Sequence, residues 1–275
     1  MRQVRTRAPK VPEPGVRRLL GVLVWCAVAA LAPCGRSESE DVAAAAGSSA
    51  DALLDGVLLR FPRDPLTLSG QLFVRLPRGI PVRDYAFDMT LDYGADPAVA
   101  SYAIRSSAGR DPIETLTVKR TAAGGVEYAY AVGDPLVPVR LTNLSARVQQ
   151  TDLTWLDLSL SFLWWRGGLV VGSESVRGRP AIVADVAPPA GGSNEPYARV
   201  RLWIDEQARI LLQAEGYDAA GKAVRTLWVK SFKKIDERWM IKDLEVQEYP
   251  AVHRTKLRID DVQGSAPGAA TGTEP

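Results

Sequence analysis

The chain has 275 residues, 46% of them hydrophobic and 24% charged, with 34 basic and 32 acidic side chains, two cysteines and one histidine. That length and apolar content suffice for one sizeable core. One histidine and two cysteines are too few for a His- or Cys-built zinc site, and a net charge of +2 with no basic stripe argues against a nucleic-acid binder.

The charge is unevenly placed. Residues 1–34 carry six basic and one acidic side chain, and the rest carries 28 basic against 31 acidic, a net −3. Arg2, Arg5, Arg7, Lys10, Arg17 and Arg18 precede the uncharged apolar run Leu19–Ala32, the layout of a secretory signal peptide over residues 1–34. The run is shorter than the roughly 20 apolar residues of a spanning helix. Ala27-Val28-Ala29 and Ala30-Leu31-Ala32 are alternative cleavage sites. Leu31-Ala32-Pro33-Cys34-Gly35 is similar to a bacterial lipobox, in which Cys34 would be acylated, although Pro33 replaces the small residue expected there. Cys26 and Cys34 both fall in this leader, so the exported domain has no disulfide to rely on and its stability must come from its core.

Residues 35–50, rich in Ala, Ser and Glu, read as a flexible tether, and a domain is expected over 51–263. Ala52, Leu53, Val57, Leu58 and Phe61 fall at helical spacing ahead of Pro62, which predicts an amphipathic helix from about Asp51 to Arg60. Leu66–Leu76 and Tyr85–Tyr93 alternate as strands around a turn at Pro77–Val82. Ser101–Ser106, Ile113–Arg120 and Val126–Val132 follow as short strands at the spacing of sandwiches and barrels. Asp185–Tyr197 is a Pro- and Gly-rich surface loop, and residues 264–275 have the composition of a disordered tail.

Thr151–Trp165, TDLTWLDLSLSFLWW, can be read two ways. Leu156, Leu158, Leu160, Phe162 and Trp164 alternate as in a strand, while Leu153, Leu156, Leu160, Leu163 and Trp164 lie on one helical face behind a Thr151 or Asp152 cap. Its density of large apolar side chains suits either a core or a lip over an apolar cavity. In the C-terminal meander, Val200, Leu202 and Ile204 share one face of a strand and Arg199, Arg201 and Trp203 the other. Ile210, Leu212 and Ala214, then Leu227 with Val229, then Leu257 with Ile259 are read as continuing the apolar face, against alternating charges at Arg254, Lys256, Arg258 and Asp260.

No nucleophile elbow or phosphate-binding loop is present. Asp243, Glu245, Glu248, Asp260 and Asp261 read as solvent-facing strand carboxylates, and His253 as a surface or capping residue.

Several short stretches carry a family resemblance: Trp203-Ile204-Asp205, Tyr217-Asp218 with Gly221-Lys222, the hairpin Lys233-Lys234-Ile235-Asp236 with Arg238-Trp239, and Lys256–Val262 (KLRIDDV). Their order resembles that of LolA/LolB-type outer-membrane lipoprotein-sorting proteins, over roughly Asp51–Val262. The resemblance implies a mainly β fold of the α+β kind, an incomplete antiparallel β-barrel wrapped over one or more helices. It further implies that Thr154-Trp155-Leu156-Asp157-Leu158 forms a short helix near the cavity mouth, running from about Asp152 to Leu158 into a strand, and that Arg179 faces that mouth. The expected function is that of a periplasmic carrier, not an enzyme and without cofactor or metal, that holds acyl chains of lipoproteins or lipids in the half-barrel. Its expected partners are acylated lipoproteins or lipids and a membrane-anchored donor or acceptor protein, with no nucleic acid, and the protein is expected to be a monomer. Candidate cavity residues are Leu153, Leu156, Leu160, Trp164, Leu202, Ile204, Leu212, Leu227 and Val229. An alternative on the same fold is an envelope-stress sensor that binds a protein through outer-face Trp203 and Trp228.

Overall fold

The structure is a computed structural model that describes residues 47–141, 143–189, 197–235 and 238–264. The leader with Cys34, most of the tether, the tail beyond 264 and the loop residues 190–196 lie outside these.

Helix α1 (Asp51–Leu58) buries Leu53, Leu54 and Val57, the face its spacing predicts. It is followed by β1 (Leu66–Arg75), β2 (Pro81–Asp92), β3 (Ala98–Ser106), β4 (Pro112–Arg120), β5 (Val126–Val132) and β6 (Val137–Val139). Helix α2 (Trp155–Leu158) and a 3-10 turn (Ser161–Trp164) come next. Then follow β7 (Leu169–Val176), β8 (Arg179–Val186), β9 (Arg199–Asp205), β10 (Leu211–Tyr217), β11 (Ala223–Ile235), β12 (Arg238–Glu248) and β13 (Arg254–Gly264).

The thirteen strands form one antiparallel sheet in the order β6-β5-β4-β3-β2-β1-β13-β12-β11-β10-β9-β8-β7. The two chain halves are joined by the long β1–β13 ladder, which carries a bulge at Ser69/Gly70. The edges β6 and β7 do not pair, so the barrel is incomplete, as expected. Strand alternation places Leu66, Leu68, Leu72 and Val74 of β1, Phe87 and Met89 of β2, and Leu116 and Val118 of β4 on the inner face. The free edges are blunted: β6 is three residues with Pro138 at its centre, and β7 is partly covered by the chain just before α1. There the Gly47 N–H donates to the Val170 carbonyl, and Ser49 bridges Leu169. These contacts fall within residues 35–50, the stretch read as a tether.

The interior is filled by the segment whose sequence was ambiguous. Thr154 caps α2 through a capping box with Asp157. The chain then turns through Leu160 (φ +49°) into the 3-10 turn. The strand expected after Leu158 is absent, because Trp155, Leu156, Phe162 and Leu163 are all almost fully buried. The segment is buried on every side, its polar Asp157, Ser159 and Ser161 included, so it is enclosed by the sheet rather than paired with it.

Candidate functional site

Three polar tethers hold this plug to the sheet. Asp157 accepts from Tyr197 OH on Oδ1 at 3.0 Å and forms a buried ion pair with Arg225 on Oδ2 at 2.7 Å. Tyr197 itself lies flat on β10: a side chain at Gly216 would place its Cβ 2.5 Å from the tyrosine ring, so glycine is what allows the seat. Burial, followed by the nearby Asp157 charge, pushes the Tyr197 hydroxyl well above its ordinary range. Asp152 accepts from Thr255 Oγ1 at 2.9 Å and lies 2.8 Å from His253 Nδ1, so the lone histidine packs beside the plug. Glu114 of β4 binds Trp155, Tyr130 and Gln149. The oxygens of Glu114 and Asp157 are occupied by protein donors, which is the condition of a structural carboxylate and not of a poised acid or base.

At one end of the plug lies an apolar hollow of about 140 Å³. Its walls come from the end of α1 and the following turn (Val57, Phe61), from β1 and β2 (Leu68, Met89), from Tyr93 just past β2, and from Leu160. Met240 and Ile241 of β12 and Ile259 of β13 complete it beside the half-exposed Trp239. Phe61, Tyr93 and Trp164 pack together with ring centroids 5.1 to 5.9 Å apart, and Arg120 stacks on Trp164 at 4.4 Å while donating to Ser161 Oγ. Desolvation in this wall pushes the Tyr93 hydroxyl up to about 12 despite the pull of the Arg120 charge. Such a site offers non-directional burial, worth about 0.8 kcal/mol per methylene. Among the described residues, no group of three or more His, Cys, Asp or Glu could hold a metal, and no helix is long and apolar enough to cross a membrane.

Of the candidate residues, Leu160 lines the hollow and Trp164 backs its aromatic wall. Leu153, Leu156, Leu202, Ile204, Leu227 and Val229 are buried in the main core and do not line the hollow. Leu212 is corrected: it faces outward and packs with Ala181, Val183, Trp203 and Ile210. The cause is a bulge between Leu211 and Gln213, which shifts the strand phase so that Leu211 and Ala214 point in. Trp203 is likewise outward but buried, its indole donating to Glu174 at 2.8 Å, so it offers no docking surface. Trp228 is half-buried with Lys230 and Arg254 over its ring. Arg179 pairs with Asp205 at 2.7 Å and takes no part in the hollow's wall. Asp243, read from the sequence as solvent-facing, is instead buried and paired with Lys256, and Glu245 pairs with Lys230 and Arg254. The residues that sequence reasoning missed are Phe61, Met89, Tyr93, Phe232, Met240 and Ile241. The alternation Phe87-Met89-Leu91 in β2 was the available signal for that strand's inner face.

A family model described as "Uncharacterized protein" matches residues 136–267, and no curated protein matches. Among solved structures, the chain is similar to a DUF1329 family protein from Desulfovibrio piger, with TM-score 0.67 and 16% identity over 83% of this chain and 95% of that one. A domain from Vibrio parahaemolyticus, described as an outer membrane lipoprotein-sorting protein, matches with TM-score 0.66 and 14% identity over 82% and 93%. A LolA superfamily protein from Nitrosomonas europaea matches with TM-score 0.61 and 16% identity over 79% and 94%. The chain therefore has the LolA-type fold that its C-terminal meander resembles, an open antiparallel half-barrel wrapped over helices.

Proposed function

We propose that this protein is a carrier of acyl chains, taking lipids or acylated lipoproteins into the hollow of its half-barrel in the periplasm, and that it is not an enzyme. The observation that carries this reading is the hollow itself, walled by aliphatic and aromatic side chains and open beside Trp239. A core that needed only to be stable would close there. Non-directional burial suits a cargo that must also be released, since no hydrogen bond has to be broken. The export signal read over residues 1–34 and the likeness in fold to a lipoprotein-sorting domain support the same reading. Native mass spectrometry of the exported protein tests it. A co-purifying adduct of lipid or acyl-peptide mass, lost on organic extraction, is the expected result. A clean apo mass, together with no binding of a fluorescent acyl probe, would overturn it.

A further inference from the structure

At the end of β12 away from Trp239, two turns stand side by side: residues 76–80, which join β1 to β2, and residues 249–253, which join β12 to β13. They meet because β1 ends where β13 begins, with Arg75 opposite Arg254. Between them lies a cleft of about 470 Å³, its walls including Phe73, Pro77, Arg78, Val252 and Lys256. Both turns are held in place. The Leu76 N–H donates to the Ile80 carbonyl at 2.9 Å and the Gly79 N–H to the Leu76 carbonyl at 3.1 Å. Pro77 and Pro81 fix the backbone on either side of Arg78 and Ile80, and His253 anchors the second turn 2.8 Å from buried Asp152.

The side chains on this end are apolar and cationic together. Leu76, Ile80, Val82 and Val252 are exposed, Ile80 by 55% and Val252 by 63%, whereas exposed hydrophobic residues on a soluble surface are normally scattered singly. Arg75 and Arg254 face each other across the β1–β13 ladder, and like charges directly opposite destabilise a sheet. Arg254 is answered by Glu245 at 2.8 Å, a carboxylate it shares with Lys230, and Lys256 by Asp243 at 3.1 Å. Arg75 has only the ring of Phe73, 5.1 Å away. Among the described residues, Arg75, Arg78 and Arg83 have no carboxylate partner. The end therefore presents three uncompensated cations among four exposed apolar side chains.

We propose that these two turns form a docking face for an anionic membrane surface. Leu76, Ile80, Val82 and Val252 enter the boundary between headgroups and acyl chains, and Arg75, Arg78 and Arg83 meet lipid phosphates. That combination of apolar tips and basic residues is what holds a protein at an anionic interface. An acidic peptide would find less here, since β1 is paired on both sides, with β2 and with β13, and offers no free backbone edge for an added strand. The face lies toward the other end of β12 from the hollow's mouth. Docking and cargo binding are thus separate sites, and the inference does not rest on the carrier reading.

The test is cosedimentation of the exported protein with vesicles of phosphatidylethanolamine and phosphatidylglycerol, and with vesicles of phosphatidylcholine alone. The wild type should bind the anionic vesicles more tightly, and added salt should weaken that binding. Two variant pairs, Arg78→Glu with Arg83→Glu and Ile80→Ser with Val252→Ser, change only exposed side chains and should stay folded by circular dichroism. Each should lower partition onto the anionic vesicles at least about ten-fold while binding a fluorescent acyl probe as the wild type does. Variants that partition like the wild type would overturn the face, because binding would then come from another part of the chain. Equal binding to both vesicle types would overturn it as well. So would a wild type that ignores the vesicles but binds a polyglutamate peptide, the outcome expected of a surface for an acidic protein. Vesicle binding that depends on these residues in a protein that takes up no acyl probe would uphold the face and sink the carrier reading alone.

Discussion

The indole N–H of Trp155 donates to Glu114 Oε1 across 3.1 Å, tying the inner helix to the fourth strand through two side chains that are both about fully buried. Tyr130 OH donates to the same oxygen at 2.7 Å, and the backbone and side-chain N–H groups of Gln149 donate to Oε2 at 2.9 and 2.8 Å. Four donors converge on two oxygens from the fifth strand, the loop before α2 and α2 itself. The plug is thereby held in one register against a sheet that, being mostly aliphatic, would otherwise accept several.

Glu114→Gln keeps the shape and turns one acceptor into a donor. Whichever way the amide is oriented, one pair of buried N–H or O–H donors faces an NH₂ group, and the expected loss is about 2–3 kcal/mol. Urea unfolding monitored by tryptophan fluorescence reads it as a lower midpoint at unchanged slope. A loss below about 0.5 kcal/mol would show that the tether does not hold the plug.

Arg225 and Asp157 make the second tether, a pair at 2.7 Å with both side chains almost wholly buried. Arg225→Met strands a carboxylate in the core and should cost about 3–5 kcal/mol. Asp157→Asn alone should also be costly, since Asp157 completes the capping box of α2. The double variant should cost less than the two singles together by at least about 1 kcal/mol. Strict additivity in the thermodynamic cycle would mean that the pair is not coupled.

Much of this fold was legible in the sequence, and the misses have particular causes. Strand alternation carried β1 to β5 and most of the meander, because one face is wet and each apolar residue declares its side. The stretch from Leu156 to Trp164 defeated periodicity because its alternating polar residues, Asp157, Ser159 and Ser161, are buried along with the apolar ones, so burial there follows no period. Leu212 failed through the bulge beside it, which period-2 counting cannot see. The hollow's wall was the least legible part, since Phe61, Met89, Tyr93 and Met240 come from the turn after α1, from β2, from the residue just past it and from β12. Only the sheet's curvature brings them together.

Wall and core positions should separate in a binding assay. Ile241→Glu lies at the partly exposed mouth, and should leave the protein folded while weakening acyl-probe binding about ten-fold or more, since it places a charge where the chain must pass. Leu202→Glu, fully buried on β9, should instead unfold the protein. Circular dichroism and probe fluorescence on both variants check this. A folded Ile241→Glu that binds like wild type would remove the hollow from consideration as the cargo site.

Asp185 sits on the outer face of β8 with Arg201 Nε at 2.7 Å and Arg199 Nη1 at 2.5 Å. Partial burial raises its pKa, but the hydrogen bonds and charges of Arg201 and Arg199 outweigh that and hold the carboxyl below its ordinary range. A folded-state pKa below the unfolded one means the contribution is fully present above the unfolded value, about pH 4, and is lost as pH falls through the folded one. Asp185→Asn should therefore be less stable than wild type by about 1 kcal/mol at pH 7, a modest figure because both arginines are partly solvated. The gap should shrink as the pH is lowered below about 4, where the wild-type carboxyl is itself becoming neutral. Urea midpoints at pH 7, 4 and 2.5 measure it. A gap that stays constant across that range would show that the aspartate contributes through packing and not through its charge.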